Sequence, residues 1–151
     1  MSAAIGISTP VLAPLLPITG TFAWPFSTYF TLLSYRVVHC RLRDEHYLGD
    51  NSSTNADLKN ELYLASRCHQ NFIENVPLGL TLAAFAELNG GDRKIITTAL
   101  SALLAFRILH VELGLANGSG IGRPIGYWGT LATISTLGGY AAYLVKSYWG
   151  L

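Results

Sequence analysis

Arg67, Gln70, Asn71 and Glu74 fall at positions i, i+3, i+4 and i+7, a spacing that stacks them on one face of a helix. His69 sits on a neighbouring face. Arg107, His110 and Gly114 repeat the pattern at i, i+3 and i+7. Arg123 is followed one turn later by Tyr127, and Arg36, Arg41 and Arg43 close an earlier apolar run. Groups of this kind within apolar segments are expensive, about 2.5–3.5 kcal/mol each on insertion scales, so their clustering needs a reason. One reading is interhelical glue, with Glu74 pairing with Arg67 or Arg107 and Asn71 bonding a neighbouring backbone. The other starts from charge. If the cations of three further helices converge on the Arg67–Glu74 face, positive groups outnumber Glu74, and the surplus calls for an anion from outside the chain. Glu112 lies on a different face of its helix and is expected at a subunit contact. Arg36, near a helix end, is expected to snorkel.

The elements that must position these groups are membrane helices. Half of the 151 residues are hydrophobic and 13% are charged, against about 25% charged in a soluble domain. Mean hydropathy is +0.35. Crossing a hydrocarbon core of about 30 Å takes about 20 helical residues. Four segments have that length: 18–38, 62–88, 95–115 and 125–148. A single all-α domain, an integral membrane four-helix bundle over 1–151, is therefore expected. Pro25 should kink the first helix or fray its first turn. Tyr140, Tyr143, Tyr148 and Trp149 near the end of the fourth suit an aromatic belt. Between the spans lie a polar stretch from Arg41 to Asn60, a tight break at Asn89-Gly90-Gly91-Asp92, and a flexible turn from Asn117 to Gly122. Pro124 is suited to the first helical position beyond that turn.

A slight excess of Lys and Arg on the first and third loops favours placing them in the cytoplasm, with both termini opposite. The glycosylation patterns at Asn51 and Asn117 would then go unused. Residues 1–9 lack the basic start of a signal peptide. Cys40 and Cys68 form neither a disulfide framework nor a metal cluster and are expected as small helix residues. The net charge of +1 gives no reason to expect a nucleic-acid partner.

The run Arg67-Cys-His69-Gln-Asn71-Phe-Ile-Glu74-Asn-Val-Pro77 resembles the signature of the MAPEG family, the membrane-associated proteins of eicosanoid and glutathione metabolism. There, Arg-x-His-x-Asn-x-x-Glu precedes a proline on the second of four helices. Arg107-x-x-His110, Arg123 and Tyr127, and the Arg41-Leu-Arg43 helix end, resemble the glutathione transferase and prostaglandin E synthase members. The resemblance implies a homotrimer in the endoplasmic reticulum or another intracellular membrane. It also implies glutathione bound between subunits by Arg41, Arg67, Gln70, Asn71, Glu74, His110 and Tyr127. Arg41 and Arg67 suit its carboxylates, which arginine can hold bidentately, and Glu74 suits its ammonium group. Arg123 is the expected catalytic residue. A free thiol has a pKa of about 8.5, and a guanidinium at a helix N-terminus favours the thiolate. The thiolate would attack a lipophilic electrophile or reduce a hydroperoxide, with no metal.

Three positions depart from the prostaglandin enzymes. Gln70 stands for an arginine, Gly114 for a tyrosine, and Pro124 for the serine after the catalytic arginine. A general glutathione transferase or peroxidase is what the resemblance implies, rather than prostaglandin synthesis. The alternative from another class is a non-catalytic lipid-binding or scaffold protein of the lipoxygenase-activating type. Retention of Arg67, Asn71 and Arg123 favours the enzyme. A transporter ranks below both, since no broken helix pair or repeat is present.

Overall fold

The computed structural model describes residues 14–49, 60–115 and 120–150. The patterns at Asn51 and Asn117, Lys59, and residues 1–9 lie outside them. Four helices account for most of the described chain: α1 (Pro17–Arg43), α2 (Glu61–Leu88), α3 (Arg93–Glu112) and α4 (Gly122–Leu144), followed by a 3-10 turn at Lys146–Trp149. The described residues contain no strand.

The helix ends follow from local chemistry. α1 begins with Pro17 in its first turn, where a missing N–H removes no helical bond. Its next amides are capped from a distance. The Glu87 carboxylate accepts from Ile18 N at 2.6 Å, and from Thr19 N at 2.8 Å and Thr19 Oγ1 at 2.7 Å. The helix then runs on through Pro25, so the frayed first turn expected there is not found. Arg41 and Arg43, assigned above to the first loop, form the last helical turn, where cations complement the helix dipole. Arg43 bonds Asp44 Oδ1 at 2.8 Å and Glu61 at 2.5 Å, tying α1 to the start of α2. That guanidinium holds the Asp44 carboxyl below the usual carboxylate range.

Asn60 caps α2 by accepting from Tyr63 N at 3.1 Å, and Asp92 caps α3 by accepting from Lys94 N and Ile95 N. Gly90 between them takes φ +77°, a conformation costly for residues with a β-carbon. α4 begins at Gly122, so Pro124 is its third residue and not its first. It is still within the turn whose N–H groups have no helical acceptor.

One core joins all four helices. Phe26 and Leu33 of α1 meet Phe72, Val76 and Ala83 of α2, Leu100 and Leu103 of α3, and Leu137 of α4. Cys40 packs with Val37 and Leu62 in a smaller cluster, while Cys68 belongs to the main core. Both thiols are free and buried, in keeping with their reading as small helix residues.

Among the described residues one helix, Arg93–Glu112, is by length and composition apolar enough to cross a membrane. The others have the length, but α2 carries the polar stripe and α1 and α4 are diluted by Thr, Ser, Gly, Pro and Tyr.

The most extensive interface is α3 with α4, and glycine makes it possible. Gly122, Gly126 and Gly129 line one side of α4. A β-carbon on Gly126 would stand 2.4 Å from His110 Cβ and 2.6 Å from the Phe106 carbonyl; on Gly122 it would stand 2.4 Å from the Leu109 carbonyl. Small residues at this spacing let membrane helices approach backbone to backbone.

Candidate functional site

The close α3–α4 contact fixes where the polar stripes end up. Arg107, only 2% exposed, reaches out of α3 in two directions. Its Nη1 donates to Asn71 Oδ1 on α2, and its Nη2 donates to the Gly126 carbonyl on α4 at 3.0 Å. Thr130 Oγ1 donates to the same carbonyl at 2.7 Å. No carboxylate among the described residues lies within ion-pair distance of Arg107, so amide and backbone oxygens hold this buried cation.

One helical turn on, His110 Nδ1 donates to the Arg123 carbonyl at 2.9 Å. A carbonyl can only accept, so in the neutral ring Nε2 is left as the acceptor. Gly114 completes the stripe. A β-carbon there would come within 2.7 Å of Arg123 N and 2.3 Å of the His110 carbonyl. Gly114, one of the three departures noted above, is thus a residue that lets the first turn of α4 lie against the end of α3. All three members of the Arg107–His110–Gly114 stripe face α4, as their spacing requires.

The α2 stripe divides. Asn71 turns inward to Arg107. Arg67, Gln70 and Glu74 stay exposed and form a ladder, with Arg67 Nη1 donating to Gln70 Oε1 at 3.0 Å and Gln70 Nε2 donating to Glu74 at 3.0 Å. Gln70 therefore spaces the cation from the anion, and no Glu74–Arg107 or Glu74–Arg67 ion pair forms among the described residues. His69, off the stripe, faces α1, its Nε2 lying 2.8 Å from Ser34 Oγ.

A cleft of about 520 Å³ opens where α2, α3 and α4 meet. It collects Arg67, Asn71, His110, Arg123 and Tyr127 of the candidate residues, with Tyr63, Leu64, Leu115, Pro124 and Trp128 completing the wall. Arg41, Gln70 and Glu74 are not in its lining. Arg41 instead donates to the Gly49 carbonyl at 3.2 Å. Arg67 and Arg123 thus line a cavity with no acidic side chain among the described residues of its walls. Tyr63 and Trp128, which the polar stripes did not single out, could have been found by helical spacing: Tyr63 lies one turn before Arg67, and Trp128 adjoins Tyr127.

The two residues set aside as peripheral meet each other. Arg36 Nη1 lies 2.8 Å from Glu112 Oε1, and Tyr29 Oη donates to the same oxygen at 2.9 Å. Glu112 therefore pairs within its own chain where a subunit contact was expected, and Arg36 turns to it where snorkelling was expected. Their positions near the same bundle end made the pair possible, but no local spacing connects α1 with α3.

The model of the MAPEG family matches residues 21–143. The chain belongs to the MAPEG family. As a MAPEG chain it is a membrane protein, and the match covers all four helices except the first residues of α1 and the last of α4. It is 31% identical over 77 residues to the inner membrane protein YecN of Escherichia coli strain K12, and equally so to YecN of strain O6:H1 CFT073. Those matches cover 51% of this MAPEG chain and 54% of each relative; the chain spans about half the length of the curated relatives it matches. No solved structure matches it.

Proposed function

We propose that this MAPEG chain is a glutathione-dependent membrane enzyme, a transferase or peroxidase acting on lipophilic electrophiles. The observation that carries the reading is the cleft walled by Arg67 and Arg123, with no acidic residue among its described lining. A cation-lined, acid-free cavity selects an anion, and about 520 Å³ lies within the range of small-molecule sites. Glutathione fits that donor set because it brings two carboxylates and a thiol. When bound it supplies the sulfur nucleophile.

The chain's own residues supply the rest. The Arg67 guanidinium is suited to a carboxylate. The Arg123 guanidinium, in the first turn of α4, favours negative charge on a nearby sulfur, and the helix N-terminus adds to it. His110 holds that turn through the Arg123 carbonyl. Arg107 holds Asn71 at the cleft wall. Tyr127 and Trp128, 47% and 67% exposed, offer an aromatic rim to an apolar co-substrate.

The assembly belongs to the same reading. We take all four helices as spans, and the Arg67–Gln70–Glu74 ladder would then face lipid in a lone subunit. A neighbouring copy covering it accounts for exposed polar groups at that depth. Homotrimerisation would also bring Gln70, Glu74 and Arg41 toward a site shared between subunits.

The test uses purified protein in detergent. Adding glutathione should give thiolate absorbance in the ultraviolet and conjugation of a general aromatic electrophile. Arg123→Ala should abolish the absorbance and weaken binding in titration calorimetry by about tenfold or more, the scale of one charge-assisted hydrogen bond. Saturable fatty-acid binding without any glutathione binding would instead establish the non-catalytic lipid-binding alternative.

A further inference from the structure

α3 and α4 flank a second groove farther along their seam, toward the start of α3. Its volume is about 470 Å³, and its walls include Lys94, Ala99, Ala102 and Phe106 of α3 with Ala132 and Thr136 of α4. Phe106 closes one end against Gly129, where a β-carbon would stand 2.4 Å from the ring. Lys94 stands at the other end, in the first turn of α3.

Three features define what this groove can hold. Its walls are mainly apolar, with threonine hydroxyls at Thr98, Thr133 and Thr136. It follows the helix that is itself apolar enough to cross a membrane, so a membrane crossed by that helix would set the groove at hydrocarbon depth. From Lys94 to Phe106 is twelve residues, about 18 Å of helix, close to the depth of one leaflet, about half of 30 Å. The open end carries charge. Among the described residues no carboxylate lies within ion-pair distance of Lys94. The nearby Asp92 carboxylate is occupied by the backbone N–H groups of Lys94 and Ile95, at 2.8 and 3.1 Å.

We infer that this groove is a binding site for an anionic phospholipid, with one acyl chain along the α3–α4 channel and the headgroup phosphate on Lys94. Charge complementarity decides the lipid class. A lysine near the membrane surface is worth about a fivefold preference for an anionic headgroup. The site is separate from the glutathione reading and stands or falls without it.

Native mass spectrometry of the full-length protein, released from detergent with equal phosphatidylglycerol and phosphatidylcholine, tests it. Wild type should retain phosphatidylglycerol about fivefold over phosphatidylcholine. Lys94→Gln should bring the two to equal retention. Ala132→Phe, at an exposed position on the groove wall, should release both lipids while circular dichroism stays unchanged. Equal retention by wild type overturns the inference. So does an unchanged preference in Lys94→Gln, undiminished lipid in Ala132→Phe, or oleate outcompeting phosphatidylglycerol. Loss of the wild-type oligomeric state in Ala132→Phe would mean a second copy covers the groove, and also overturns it.

Discussion

Arg107 and Arg123 are both arginines near the cleft, and their surroundings give them different work. Arg107 is sealed in the bundle, two of its nitrogens bonded to Asn71 and Gly126. Arg123 is exposed on the cleft wall. Replacing Arg107 by methionine leaves the part-buried Asn71 Oδ1 without its donor, and losing a hydrogen bond from a charged donor costs about 1.5–3 kcal/mol. Arg107→Met should therefore lower the thermal unfolding midpoint in detergent, and its glutathione affinity should fall through a loosened Asn71. Arg123→Ala should leave the unfolding midpoint within error, since nothing in the core rests on its side chain. An Arg107→Met protein of full stability would remove the positioning role given to this residue.

The elements are set by a few close approaches and caps. The Gly122–Gly126–Gly129 edge admits α3 so closely that Gly126→Ala forces backbone apart, and overpacking of that kind costs about 1–3 kcal/mol. At Gly139 of the same helix, a methyl group would meet nothing within 4 Å. Gly139→Ala should therefore gain about 0.5–1 kcal/mol from helix propensity alone. The pair of variants, melted side by side, separates packing from propensity. Glu87 is a second control point, because it caps α1 from α2 with three hydrogen bonds. Glu87→Ala should cost about 1 kcal/mol and should show as faster hydrogen exchange at the Ile18 and Thr19 amides. Unchanged exchange there would mean that the first turn of α1 is held by other contacts.

At the scale of the molecule, the polar face of α2 is the feature a single chain leaves unresolved. Arg67, Gln70 and Glu74 bond one another yet stay exposed along a helix proposed to span the membrane. Sedimentation in detergent is expected to give three times the 16.4 kDa chain mass. Gln70→Leu, which cuts the ladder at its middle rung, should shift the protein toward smaller species. A monodisperse monomer with glutathione-dependent absorbance would keep the enzyme reading and discard the trimer.

Periodicity alone determined the helical content of this chain, because apolar runs of spanning length with polar groups at i, i+3, i+4 and i+7 leave few other folds open. It also determined that Arg107, His110 and Gly114 share a face, since that follows from 3.6 residues per turn. Partner choice was not legible. The Arg67–Glu74 stripe read as one surface, but helix packing sent Asn71 inward to Arg107 and left its neighbours outside. Tyr29 and Arg36 lie two turns apart on α1, but Glu112 is far from both in sequence, and only the packing of α1 on α3 made them a cluster. Gly114 and Gln70 read as departures from a family pattern; tertiary contact gave the first a steric duty, and contacts within α2 gave the second a bridging one. The charged stripes were written in the sequence, but a stripe records direction around one axis. Which cations line the cleft depends on the distance between axes, and the glycines of α4 set that distance.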